Sequence, residues 1–440
     1  MLSSRTWSRG RYQCAGRIPT PHIPTYALAF SPDGTLLARG GEAGLDLNDT
    51  RTLKPISTGK PHTVPPSIYG SVVVLKWASM EGQFDMLFIG TKHGFVFIWQ
   101  KNDNNFRECH AFRVPEGGEI LSLAVQVNPD RVRLAVGTIH CILACYDVLP
   151  NRLWNDWYER LAKIEPRNIE FTSNRKDITV FSTFSGQIHT FSRRERTLEH
   201  GPSLAQLIGY ATMGKDREVV IDNTNNFSLH NSETGALVAM FGAGSKISAV
   251  PKHVMFGEDG EIVVAGSDTG CAYVFQKAGG GPEQILMNAS DGYTQIVATS
   301  STASANYIAC ATSSTTGVGA VSVWTCKRVI EGSATLPNST AGTDLPGQLW
   351  KLLQQIWQRF KGGLAWLSNL VQRSLVWLAK LVMTVSVILL LVLVVAPFLW
   401  SMVEDDVPEA WMYAKGYWYL AVRPAIVSHR KCIAELYGFA

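Results

Sequence analysis

Gly209 to Lys215 reads GYATMGK, the Gly-x4-Gly-Lys spacing with which a phosphate loop wraps backbone amides around phosphates while the lysine reaches the outer ones. The next position should be Ser or Thr to hold magnesium. It is Asp216, whose carboxylate repels phosphate, so the segment reads as a turn joining two strands. Cys141 and Cys145 stand four apart, on one face if they share a strand, which suits core packing of small soft side chains. The eight cysteines include no Cys-x-x-Cys, and the ten histidines no His-x-x-x-His or His-Glu-x-x-His, so neither a zinc site nor any other cofactor is implied. No Gly-x-Ser-x-Gly elbow is present. With no nucleophile or general base nominated, the expectation is a non-enzymatic chain with no small-molecule substrate. Four Asn-x-Ser/Thr sequons, at Asn48, Asn226, Asn288 and Asn338, would matter only in a lumenal domain.

The elements around these residues repeat. Short apolar runs are punctuated by Gly, Asp and Asn turns at strand-like intervals, and a Gly-x-x-x-Gly-like turn followed by a strand ending in an aromatic recurs. The copies are GTKHGFVFIWQ (90–100), GTIHCILACYD (137–147), STFSGQIHTFS (182–192), GSDTGCAYVFQ (266–276) and GAVSVWT (319–325). A degenerate copy lies at 222–232 and an earlier one, GGEAGLDLNDT, at 40–50. Seven units follow. The terminal aromatics are Trp99, Tyr146, Phe191, Phe275 and Trp324.

FSPDGTLLA at Phe30 to Ala38, the GSDTG turn at Gly266 to Gly270 and the positions of Trp99 and Trp324 resemble the WD-repeat β-propeller family over residues 12–328. No repeat carries an intact Trp-Asp pair, the nearest being Trp99-Gln100, Trp324-Thr325 and Tyr146-Asp147. The resemblance implies an all-β, seven-bladed propeller over 26–330. A four-stranded blade cannot bury both faces alone, and a closed ring buries each against two neighbours. Such rings are often locked by an N-terminal strand completing the last blade, and within residues 1–25 RYQCAG (11–16) is the candidate. A rival reading of the first 20 residues is a mitochondrial presequence, since Arg5, Arg9, Arg11 and Arg17 come with serines and no acid.

A different material begins near residue 340. After a linker at 331–346, residues 347–380 hold five bases and no acid. Leu349, Leu352, Leu353, Ile356, Trp357 and Phe360 recur at helical spacing opposite a polar face, and a second stripe follows Gly362-Gly363. Such basic, Trp-rich amphipathic helices, with Trp350, Trp357, Trp366, Trp377 and Lys380 at the interface, suit a bilayer surface; packing on a protein is the alternative. Leu381 to Val403 is 23 uncharged residues, including Leu381, Leu389, Leu391, Val395 and the interfacial Trp400. As a helix it would span roughly 34 Å against a hydrocarbon core of about 30 Å. Lys380 and Arg373 precede it and Glu404, Asp405 and Asp406 follow, which predicts a cytosolic N-terminal part and a tail, 404–440, on the opposite side. The endoplasmic reticulum or another endomembrane, or the mitochondrial outer membrane, would suit this single-pass layout.

With 40 basic against 36 acidic residues and a net charge of +4, no basic stripe for nucleic acid is expected. The expected role is a membrane-held interaction scaffold whose protein partners bind the turns between second and third strands: Glu42, Lys92, His93, His140, Phe184, Asn225 and Asp268. The layout is also similar to that of the endoplasmic-reticulum exchange factors for the small GTPase of coat-vesicle budding. That resemblance implies an extended loop after a GG-containing strand, whereas Gly40-Gly41 here runs directly into EAGLDLNDT. A lumenal or surface propeller receptor is the third possibility.

Overall fold

The structure, a computed structural model, describes residues 10–328 except 21–22, 59–63, 81–83, 103–104, 173–176, 206, 224–225, 244–249, 289–291 and 313–318. They belong to the first of two compact units, Met1–Ser333. The expected amphipathic helices, the apolar stretch 381–403 and the tail all lie outside the described residues. Among the described residues no helix is long and apolar enough to cross a membrane.

Seven antiparallel sheets, six of them made of consecutive strands and the last combining the first strand of the chain with its final three, form a seven-bladed β-propeller. Blade 3 shows why these residues fold this way. Its middle strands, Val132–Thr138 and Ile142–Leu149, are almost continuously buried, because each face lies against another blade and near-uniform apolar runs are what such strands require. Its outer strand, Arg152–Arg160, alternates and ends in charge, which protects an edge that would otherwise recruit other strands. The inner strands, such as Thr25–Phe30, Val72–Met80 and Ile120–Val127, line a central channel.

Seven apolar clusters fill the seams between consecutive blades. One joins Phe88 and Ile98 of blade 2 to Leu134 and Tyr146 of blade 3. The ring closes where Leu28, Phe30 and Leu37 of blade 1 pack on Ile296, Ala298 and Ala309 of blade 7. A fully buried Val, Leu, Ile or Phe contributes roughly 1.5–3 kcal/mol through its removal from water, so each seam is a substantial part of the fold. The recurring aromatics sit on these seams. Tyr146 meets Phe112 (ring centroids 4.5 Å), Phe191 meets Trp157 (4.8 Å) and Phe275 meets Phe241 (5.3 Å), in each case a ring on the fourth strand of the preceding blade.

Gln13–Pro19 pairs antiparallel with Ala320–Lys327 and is the outermost strand of blade 7, so the first strand of the chain locks the last blade. Blade 1 departs from the four-strand expectation: among the described residues it has three, Thr25–Phe30, Leu36–Gly41 and Gly44–Asp49. The next segment pairs with them only at a single Asn48–Pro55 bridge. Proline has no N–H to donate to a ladder, and further backbone bonds there run from Ile56 N–H to Leu47 O and from Asp49 N–H to Lys54 O.

Candidate functional site

Antiparallel pairing places the turn between second and third strands at the same end of every blade as the link entering the inner strand. Hydrogen bonds tie the two together. Lys92 N–H donates to Ser71 O (2.9 Å) and Ile139 N–H to Glu119 O (2.9 Å), while Ile208 N–H, in the link entering blade 5, donates to Thr183 O in the turn of blade 4 (3.1 Å). Glu42, Lys92, His93, His140 and Phe184 all lie in these turns and are exposed. Asn225 lies outside the described residues.

The two histidines are held alike. His93 Nδ1 lies 2.8 Å from Ile68 O, and His140 Nδ1 2.8 Å from Glu116 O. A carbonyl only accepts, so Nδ1–H donates in both. Arg113 Nε donates to His93 O (3.1 Å) and Arg160 Nη1 to His140 O (3.2 Å). Each turn is thereby stapled to its own outer strand. Gly94, at φ 83°, and Cys141, at φ 60°, both adopt the left-handed conformation that closes these turns. Cys141 is therefore a turn residue, not a strand residue, while Cys145 is buried in the strand; both pack on the seam between blades 3 and 4.

Asp268 occupies the corresponding turn of blade 6, but its side chain is 1% exposed and pairs with Lys252 at 2.9 Å. Its carboxylate faces the interior, so its role in this geometry is to hold the turn.

Sequence reasoning placed Phe184 on this end but missed the other apolar side chains there. Phe184 is 73% exposed, Ile68 52%, Val250 46%, Ile139 42% and Leu207 38%. Three of them follow one another around the ring: Phe184 adjoins Thr183, which accepts from Ile208 beside Leu207, and Gly209 lies close against Pro251 beside Val250. The available signal was an apolar residue inside a turn, as in the Ile139-His140 pair.

The central channel has a volume of about 880 Å³. Within it Lys76 of blade 2 reaches Glu170 of blade 4 at 3.0 Å, and the carboxylate raises the lysine's pKa against the opposing effect of burial. Tyr210 and His253 stack with centroids 4.0 Å apart. Burial raises the Tyr210 pKa, and burial, helped by Arg167, lowers that of His253 to about 3. These groups neutralise or stack on one another; no activated nucleophile emerges.

GYATMGK proves to be the inner strand of blade 5, Tyr210–Met213, with the start of its turn. Asp216 and Arg217 hold left-handed φ values of 59° and 63°, and strand Glu218–Asp222 follows, so no helix N-terminus is there to meet phosphate. Among the described residues no group of three or more His, Cys, Asp or Glu is placed to hold a metal, and all seven described cysteines are free thiols.

Compared with known proteins, the sequence matches no family model, and no curated protein matches it.

Proposed function

We propose that this propeller is a non-enzymatic protein-interaction platform whose working surface is the end bearing the turns between second and third strands. The observation that carries this reading is the arc Phe184, Leu207 and Val250, extended by Ile68 and Ile139. Large apolar side chains gathered on one end of a domain mark an interaction site more often than scattered singletons do. Propellers commonly serve as scaffolds, and fold alone does not fix function. The proposal includes tethering at the cytosolic face of a membrane, resting on the uncharged run 381–403 and its flanking charges.

Two observations weigh against the other readings. Asn48 is 3% exposed and Asn288 1%, and Asn288 is engaged with Ser322 N–H and Thr294, so these two sequons offer no amide to a glycan on a lumenal receptor. Strands Leu36–Gly41 and Gly44–Asp49 are joined by a two-residue turn, leaving no extended loop of the kind an exchange factor uses. The test is cross-linking mass spectrometry on cells expressing full-length chain, wild type against Phe184→Asp/Leu207→Asp. Loss of a defined set of cross-linked proteins, with an unchanged thermal midpoint, supports the platform. An unchanged cross-link profile overturns it, and alkaline extraction of the chain from membranes removes the tether.

A further inference from the structure

Ligand-spacing rules search along the chain and overlook pairs made across a hairpin. In blade 4, His189 lies on the third strand, Gln187–Ser192, and His200 on the outer strand, Thr197–Ser203. They are direct cross-strand partners, with side chains on one face of the sheet. Their Nδ1 atoms are 3.0 Å apart and their ring centroids 5.0 Å apart, with planes at 77°. Two imidazoles bound to one tetrahedral ion at metal–nitrogen distances of about 2.0 Å need nitrogens about 3.3 Å apart and centroids about 5.1 Å apart. The hairpin already holds both rings within a few tenths of an ångström of that bite.

The far side of His189 is also prepared. Its Nε2 lies 3.0 Å from Ser185 Oγ, and the same oxygen accepts Gln187 N–H at 3.2 Å, which fixes the serine in place. With Nε2–H donating to Ser185, the His189 lone pair is left on Nδ1, facing His200. This is the outer partner that metal-binding histidines usually have, and it sets both tautomer and ring orientation. His189 is buried, whereas His200 is exposed, so one ligand is rigid and the other opens the site to solvent.

We infer that His189 and His200 form a two-imidazole site for a borderline divalent transition-metal ion, zinc or copper(II). The ion takes the place of the proton shared between the two Nδ1 atoms. That proton passes through solvent to His200 Nε2, so both rings stay neutral and no oxidant or reductant is involved. Nitrogen donors select zinc and copper over calcium and magnesium, which require oxygen. No third His, Cys, Asp or Glu joins the pair among the described residues, so water completes the coordination and leaves positions that another ligand can enter. Copper(II) binds more tightly than zinc, as the general order of divalent affinities requires.

The experiment titrates purified full-length chain with copper(II) and separately with zinc, by calorimetry, with electron paramagnetic resonance on the copper form. Wild type binds one equivalent that His200→Ala lacks, and the copper signal of that equivalent shows two equatorial nitrogens. Ser185→Ala weakens it by about tenfold. His200 is exposed, so its alanine variant keeps the wild-type thermal midpoint without metal and serves as the folded control. Equal stoichiometry and spectra in wild type and His200→Ala, or failure of wild type to bind either ion, overturns the site and reduces the pair to an imidazole–imidazole hydrogen bond.

Discussion

Lys252 Nζ stands 2.9 Å from Asp268 Oδ1, with both side chains 1% exposed, and this pair joins the link entering blade 6 to the turn between that blade's second and third strands. Lys252 also donates from Nζ to Val250 O (2.7 Å) and from its backbone N–H to Asp222 Oδ2 (2.8 Å) in blade 5. The exposed Val250 is thus positioned by a buried charge. Breaking a buried pair by removing one partner costs about 3–5 kcal/mol, while replacing both with apolar residues is often neutral. Asp268→Asn should lower the urea midpoint by that equivalent, and Lys252→Met/Asp268→Leu should restore most of it. A double variant as unstable as the single one would show that the pair is not the cause.

The stack of Phe191 on Trp157 predicts a second effect. Both residues are buried at the seam between blades 3 and 4, their planes are 26° apart, and the Arg196 guanidinium lies 4.6 Å from the Trp157 ring centroid. Phe191→Ala removes the ring from a close-packed seam and should cost about 3–5 kcal/mol. Phe191→Leu, which keeps most of the volume, should cost clearly less. Thermal unfolding of the two variants separates them, and equal losses would mean that the seam does not depend on filling that space.

The N-terminal clasp makes a third prediction. Tyr12, 3% exposed, donates its hydroxyl to Glu258 Oε1 (2.6 Å), and Arg11 pairs with the same carboxylate at 2.5 Å. Gln284 bonds both the N–H and the C=O of Tyr12 (2.8 and 2.7 Å). The strand that completes blade 7 is thereby fastened to blade 6 as well. Tyr12→Phe removes one donor from a buried carboxylate and should cost about 1–3 kcal/mol. Hydrogen exchange should quicken first in Gln13–Pro19; uniform acceleration around the whole ring would contradict a local clasp.

The propeller was legible because its repeating signal is a physical contact. An aromatic at the end of a third strand is needed wherever it must cover the preceding blade's outer strand, so Tyr146, Phe191 and Phe275 recur at the blade period although no repeat carries an intact Trp-Asp pair. The three-strand make-up of blade 1 among the described residues was not legible, since only the structure shows that pairing beyond Asn48 reduces to a single bridge at Pro55. Turn membership of Phe184 and Asp268 could be read from the Gly-bounded pattern; their opposite exposures could not. Asp268 is drawn inward by a lysine 16 residues earlier, in a link that carries no motif. His189 and His200 meet only through hairpin pairing, beyond the reach of any linear spacing rule.

The channel supplies a prediction on pH. Burial, with Arg167 nearby, lowers the His253 pKa to about 3, and away from the channel, on the third strand of blade 5, burial also lowers that of His230. An unfolded histidine titrates near about 6.5. The folded state therefore refuses protons that the unfolded state accepts as the pH drops below that value. The stability tied to these neutral rings is fully present above about pH 6.5 and is lost progressively as the pH falls toward 3, with a slope of up to about 1.4 kcal/mol per pH unit for each proton taken up on unfolding. His253→Phe keeps a ring against Tyr210 but cannot titrate. Urea unfolding of wild type and His253→Phe at intervals between pH 7 and 4.5 should give converging stabilities at the acid end, because the variant loses less. Parallel curves over that range would place His253 in contact with water and able to protonate in the folded ring.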